Sequence, residues 1–273
     1  EYIDKYNGVF DQGWDVMAKQ RLEKAIELEL VSGGTKLAKS LKTNRKWDQL
    51  TEAEKVYWAR AMQVKAGMLE AADFHLGRLL SQLEAKGKLE NTIVIVTSDN
   101  GPEGSTVGFD KGLQGIAFSG WMSMHDWSTE YEDMGGRNGL TTIGPEWASV
   151  SSGPFRLFKF DSSEGGQRVP LIISGAGIIN QTDFLQGRAH MVDILPTILD
   201  VLDIPFNQDE LYGRSLMPLI NEQSKEVYST DESYAIEVGG NASLYRGTWK
   251  ISRVNPPSGD GKWHLFNLAV DAG

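Results

Sequence analysis

The 273-residue chain is 40% hydrophobic and 23% charged, carries a net charge of −10 with a pI near 5.0, and contains no cysteine. These values allow one large or two unequal globular domains, exclude disulfides, thiolate metal sites and cysteine nucleophiles within the chain, and argue against nucleic-acid partners, which call for a basic face. No run of about 18 apolar residues occurs, so no membrane-spanning helix is expected. A cysteine-free chain suits cytoplasm and periplasm alike, and the first residues, EYIDKYNGVF, match neither a signal peptide nor an initiator start. The chain therefore reads as a fragment.

In chain order, residues 14–31 place Val16, Met17, Leu22, Ile26 and Leu30 near helical spacing and predict an amphipathic helix ended by SGGTK. Thr51-x-x-Glu54 is a capping box. Met62, Leu69, Leu76, Leu79, Leu80 and Leu83 then predict the apolar face of a long helix reaching about Lys86, with Gly87 as its stop. Residues 92–97, β-branched and without alternation, predict a central strand covered on both faces. Helix followed by buried strand marks an α/β fold. The glycine-rich segment 101–153, with Trp121, Trp127 and Trp147, is long for a structureless loop, and part of it is expected to be helical. Residues 155–160 read as strand or loop edge, and 169–175 as a second buried strand. Residues 192–204 predict a helix with Pro196 in its first turn, where proline is tolerated. Beyond Pro205, the runs SYAIEV, ASLYRG, TWKISRV and WHLFNL predict a small antiparallel sheet. The expected organisation is two units, 1–205 and 206–273.

Asp99 and Asn100 follow the first strand directly, and ligands of open α/β sheets gather at the carboxyl ends of strands. A carboxylate and an amide oxygen are hard donors of the kind Ca²⁺ and Mg²⁺ take, and Gly101 would let the backbone turn sharply beside an ion. The same Asp-Asn-Gly stretch also suits an ordinary turn, because Asn-Gly tolerates positive φ. Lys159 precedes FDSSEGGQRVP, in which Gly165 and Gly166 permit a tight loop. Its ammonium suits an anionic oxygen, and a surface lysine beside a turn is the plainer alternative. Arg168 reads as a structural partner of Glu164. The three tryptophans either pack a small core of their own, the favoured reading, or stack on a substrate ring. Of the four histidines, His75 and His264 read as structural, His190 as a helix-capping residue, and His125 could contact substrate; none is assigned to catalysis.

The stretches NTIVIVTSDNGPEG, RLFKFDSSEGGQRVPLIISG and HMVDILPTILDVLDI, in that order, with GRSLMPLI and GTWKISR after them, resemble the sulfatase family of the alkaline-phosphatase-like superfamily. YNGVFDQGWD and IGPEWASVSSGPFRLFK are most similar to bacterial arylsulfatases. The resemblance implies an alkaline-phosphatase-like α/β sandwich, present in part, followed by a small C-terminal antiparallel sheet. It implies hydrolysis of small-molecule sulfate esters at one divalent cation, Ca²⁺ with Mg²⁺ as the alternative. Asp99 and Asn100 would be metal ligands and Lys159 the catalytic group that binds sulfate. It also implies a formylglycine nucleophile made within a C/S-x-P/A-x-R motif. That motif is absent here and is expected upstream of Glu1, with two further metal-binding aspartates, so the isolated chain is expected to be inactive. A phosphate or phosphonate ester hydrolase of the same superfamily, and a noncatalytic protein holding a sulfated ligand, are the alternatives. Oligomeric state is open.

Overall fold

The computed structural model describes residues 1–271 apart from 40, 42, 107–112, 179–183 and 186; positions 107–112 of the glycine-rich segment thus lie outside the described residues. Helix α1 (Trp14–Glu27) ends short of Val31, where Glu29 takes a left-handed φ of 56°. Helix α2 (Glu52–Ala85) starts with the expected capping box: the Glu54 N–H donates to Thr51 Oγ1 at 3.3 Å and the Thr51 N–H donates to the Glu54 carboxylate at 2.8 Å. Two donors left open at a helix start are satisfied reciprocally in this way. Gly87, at φ +61°, closes the helix. Only the first half of α2 is buried, through Trp58, Ala61, Met62 and Val64, whereas Leu69 and Leu79 of the predicted apolar face are exposed.

The packing of that half explains the glycine-rich segment, which holds α3 (Leu113–Met124) and α4 (Gly144–Ser152). Trp147 of α4 is fully buried and meets Phe10, Trp14 and Trp47 edge-to-face at 5.7, 5.7 and 5.9 Å between ring centroids. Its indole N–H donates to the Trp58 carbonyl at 2.9 Å. Edge-to-face contacts place positive ring edges on negative faces and add to the burial. The Arg45 guanidinium covers this cluster, 4.8 Å above Trp58, and forks onto the buried Glu146 carboxylate at 2.9 and 3.1 Å. Trp121 and Trp127 are exposed and Trp147 packs against residues outside the segment, so the three tryptophans do not build a small core of their own.

Strands β1 (Ile93–Thr97) and β2 (Leu171–Gly175) pair antiparallel, Ile93 opposite Gly175 and Thr97 opposite Leu171. Both expected strands exist, but neither is covered on both faces. Among the described residues this sheet has two strands, and Val96 and Ile172 lie in the open, Ile172 at 59% exposure. A strand needs neighbours on both edges and a layer on each face to be dry, and β1 has one neighbour. β2 begins after Pro170, which has no N–H to give a ladder. Between them, residues 155–160 form a loop, and α5 (Glu164–Gln167) is a single turn.

Beyond β2 come α6 (Ile194–Val201), with Pro196 in its first turn, and the short α7 (Met217–Ile220). His190 caps the turn before α6, its N–H donating to Asp193 Oδ2 at 2.6 Å, in line with its capping reading. Strands β3 (Ser233–Val238), β4 (Asn241–Arg246), β5 (Trp249–Arg253) and β6 (Trp263–Asn267) form the expected antiparallel sheet in chain order. The β3–β4 hairpin turns on Gly239 and Gly240, both at positive φ, as a two-residue loop compatible with strand twist requires. One face of the sheet is unusual: the buried positions of β4 and β5 are Ser243, Tyr245, Lys250 and Ser252, while Leu244 is exposed. A polar face turned inward demands polar partners, and these lie in residues 156–167.

Candidate active site

β1 delivers Ser98, Asp99, Asn100 and Gly101 into a turn that folds back on itself. The Ser98 hydroxyl donates to the Asn100 carbonyl at 2.9 Å, and the Asn100 side-chain amide donates to the Gly101 carbonyl at 2.8 Å. With its NH₂ group so occupied, the side-chain oxygen is the atom Asn100 has left for a cation. Asp99 is exposed and makes no salt bridge among the described residues. The requirement for Gly101 is not the positive φ of an Asn-Gly turn. A Cβ there would stand 1.9 Å from the Gly165 carbonyl oxygen, and only glycine permits that approach.

Two backbone hydrogen bonds bring the separate sequence motifs together. The Gly101 N–H donates to the Gly166 carbonyl at 2.8 Å, and the Lys159 N–H donates to the Pro102 carbonyl at 3.0 Å. Asp99, Asn100 and Lys159, far apart in the chain, therefore occupy adjoining turns. The Lys159 ammonium lies 3.3 Å from Glu103 Oε2 and 5.1 Å from the Phe160 ring centroid. Glu103 carried no signal at the sequence level, because its relation to Lys159 exists only through the paired turns.

The loop bearing Lys159 is held in a costly conformation. Leu157 and Phe160, on either side of it, adopt φ of 62° and 73°. Left-handed backbone costs a non-glycine residue about 1–2 kcal/mol, and such strain persists only where the surroundings over-determine it. The surroundings are the glycines of α5. A Cβ on Gly165 would meet the Leu157 carbonyl oxygen at 2.1 Å, and one on Gly166 the Asp161 carbonyl oxygen at 2.4 Å. The Gly165 N–H donates to the Arg156 carbonyl at 2.9 Å. Gly165 and Gly166 thus serve less as a flexible loop than as a smooth floor on which two other segments rest.

The C-terminal sheet grips the same loop from the opposite side. Ser162 and Ser252 hydroxyls are 3.2 Å apart, the Ser243 hydroxyl donates to the Ser162 carbonyl at 3.1 Å, and the Asn241 amide donates to the Phe160 carbonyl at 2.9 Å. Lys250 Nζ lies 2.9 Å from Glu164 Oε1, and the Tyr245 hydroxyl donates to the same oxygen at 2.7 Å. Glu164 is therefore paired with Lys250, not with Arg168 as its sequence neighbourhood suggests; the Arg168 guanidinium lies 4.6 Å from the Phe155 ring centroid. Burial pushes the Glu164 carboxyl up, but the Lys250 ammonium and the Tyr245 hydroxyl outweigh it and hold the group below its ordinary value. Burial drives the Lys250 ammonium down and the Tyr245 phenol up.

Asp161, buried in this loop, has an Oδ1 with no hydrogen-bond partner. Burial raises its pKa from the ordinary 3.8 to about 6, against the opposing pull of Arg156 and Lys250. Between these values the unfolded chain releases a proton that the folded chain keeps. Stability therefore falls as pH rises through that window, by about 3 kcal/mol once complete. Asp161→Asn is expected to raise stability more at about pH 7.5 than at about pH 4.5, by about 2 kcal/mol. Urea unfolding of both proteins at the two pH values checks this, and an equal effect at both would show that the carboxyl ionises normally.

The donor set of Asp99 carboxylate and Asn100 amide oxygen fits a hard divalent cation, but it is two groups where Ca²⁺ takes about 6–8 oxygens. No cluster of three or more His, Cys, Asp or Glu suited to a metal occurs among the described residues. The chain has no cysteine, so no residue of it fits a cysteine-derived formylglycine. His264 pairs with Asp260 at 2.9 Å, and His75 sits on exposed α2, consistent with structural roles. His125 lies 4.9 Å from the exposed Trp121 ring.

The sulfatase family model matches residues 1–204. An uncharacterized sulfatase of Schizosaccharomyces pombe is 33% identical over 282 residues, covering 100% of this chain and 50% of that protein. An arylsulfatase of Klebsiella aerogenes is 27% identical over 222 residues, 81% of this chain and 46% of that protein. The chain thus spans about half the length of the curated relatives it matches. The crystal structure of Ps i-CgsB shares the fold with a TM-score of 0.51 at 19% identity, over 83% of this chain and 42% of that one. A match over three-quarters of the length, reinforced by a relative at 33% identity along the whole of it, makes this chain a member of the sulfatase family.

Proposed function

We propose that the protein containing this chain hydrolyses small-molecule sulfate monoesters, with Lys159 against the sulfate oxygens and Asp99 and Asn100 as two ligands of a divalent cation. The supporting observation is the pair of backbone hydrogen bonds from Gly101 to Gly166 and from Lys159 to Pro102, which join the turn bearing two hard oxygen donors to the loop bearing Lys159. Breaking the S–O bond of a sulfate ester builds negative charge on the leaving oxygen, and fixed positive charge stabilises that transition state more than the ground state. A bound cation would supply Lewis-acid stabilisation. Flexible oxygen donors suit Ca²⁺ better than the strict octahedron of Mg²⁺. Lys159 orients the sulfate group. Its pairing with Glu103 is half-exposed, and an ion pair of that kind is worth about 0–1 kcal/mol, so an anionic substrate can displace Glu103 at little cost.

The full-length protein is expected to release 4-nitrophenol from 4-nitrophenyl sulfate, at least ~100-fold faster than from 4-nitrophenyl phosphate, and to lose this activity on chelation or in Asp99→Ala. The 273-residue chain alone, with two metal donors and no formylglycine motif, is expected to turn over neither ester. Absence of sulfate turnover by the intact protein would sink the assignment, and turnover by the isolated chain would sink the claim that it is incomplete.

A further inference from the structure

We propose that Lys250, far from Lys159 in sequence, is a positioning residue for the reaction: through Glu164 it sets the spacing between Lys159 and the Asp99–Asn100 turn. The inference rests on the reading of Lys159 given above and extends it to the C-terminal sheet. The Lys250–Glu164 pair has side chains only 1% and 10% exposed, and is the most buried of the salt bridges described. A buried pair contributes little net stability compared with apolar side chains of the same volume, so its presence calls for another explanation, and specifying one conformation is the best-attested. The conformation at stake is that of α5. Glu164 begins that single turn, and the next two residues, Gly165 and Gly166, touch both functional segments at once. Gly166 accepts the hydrogen bond from Gly101, while Gly165 binds the Arg156 carbonyl at the start of the Lys159 loop.

With no Cβ on either glycine, only these backbone hydrogen bonds resist a slide of one segment over the other within the glycine pair. The only side chains of α5 are Glu164 and Gln167, and the Tyr245 hydroxyl lies 2.7 and 2.8 Å from their respective oxygens. Lys250, directly opposite Tyr245 in the β4–β5 ladder, adds the ionic hold on Glu164. Loss of that hold leaves the α5 turn pinned by hydrogen bonds alone, and displacements of about 1 Å at a reacting group cost about 100-fold in rate.

The test is a double-mutant cycle in the full-length protein, with 4-nitrophenyl sulfate as substrate and thermal melts to establish folding at the assay temperature. Lys250→Met is expected to lower kcat/KM at least ~10-fold with Lys159 present, and by ~3-fold or less in the Lys159→Ala background, because the spacing matters less once its ammonium is gone. Lys250→Arg, which keeps the charge, is expected to recover most of the loss. Should Lys250→Met not fold, Glu164→Gln, which keeps its size and its contact with Tyr245, takes its place in the same cycle. Additive losses, or wild-type kinetics in a folded variant, would overturn the inference. An inactive wild-type protein would instead overturn the sulfatase assignment on which it rests.

Discussion

Lys159→Ala in the full-length protein is expected to lower kcat/KM for an aryl sulfate by ~10²–10³-fold, about 3–4 kcal/mol, while leaving the melting temperature nearly unchanged. The rate effect is that of removing one preorganised positive group from a site where anionic charge develops. The stability effect is small because the side chain gives up a half-exposed contact with Glu103 and one with the exposed Phe160 ring. The hydrogen bond that joins the Lys159 loop to Pro102 uses the backbone N–H and survives the substitution. Lys159→Arg is expected to recover only part of the activity, since a planar fork does not replace a compact ammonium at a fixed point. Steady-state kinetics with a thermal melt of the same samples checks both halves. A loss below ~10-fold would place Lys159 away from the reacting group.

The largest effect on stability is expected at Trp147. Trp147→Ala removes the ring on which Phe10, Trp14 and Trp47 converge, together with the hydrogen bond to the Trp58 carbonyl. Truncating a fully buried tryptophan costs about 3–5 kcal/mol, because a cavity remains where the ring stood. Trp121→Ala, on the exposed face of α3 at 44% exposure, is expected to cost less than about 1 kcal/mol. Urea midpoints of the two variants beside the parent chain measure the contrast. Equal losses would contradict the division of the tryptophans into one that builds the core and one that does not.

Local chemistry made part of this molecule readable from its residues. The Thr51–Glu54 capping box, the Gly87 stop and the hairpin strands of the C-terminal sheet depend on neighbours a few positions away, and each stands where the pattern puts it. The Asp99–Asn100 turn and Lys159 were legible as motifs, and their adjacency came only with the fold. What sequence concealed is nonlocal. Glu164 has Arg168 four residues on, yet its partner is Lys250, 86 residues away. Alternation in β4 and β5 points to a sheet, but a buried face of serines, a tyrosine and a lysine contradicts the rule that apolar residues turn inward. The rule gives way because the opposing surface is a loop whose carbonyls require donors. Strands β1 and β2 looked dry because both their faces are apolar in composition, and composition does not specify what lies against them.

The grip of the C-terminal sheet on the Lys159 loop also fixes when the loop can take shape. At about 5–20 residues per second, a ribosome needs roughly 4–17 s to pass from Glu164 to Lys250. Until β4 and β5 emerge, the Phe160 and Ser162 carbonyls lack their Asn241 and Ser243 donors and Glu164 lacks Lys250. Long-range contacts reward the chain only after their loop has closed. The grip on the Lys159 loop is thus expected to close late in synthesis, and a chain halted before β5 would carry Asp99, Asn100 and Lys159 without the Lys250–Glu164 pair.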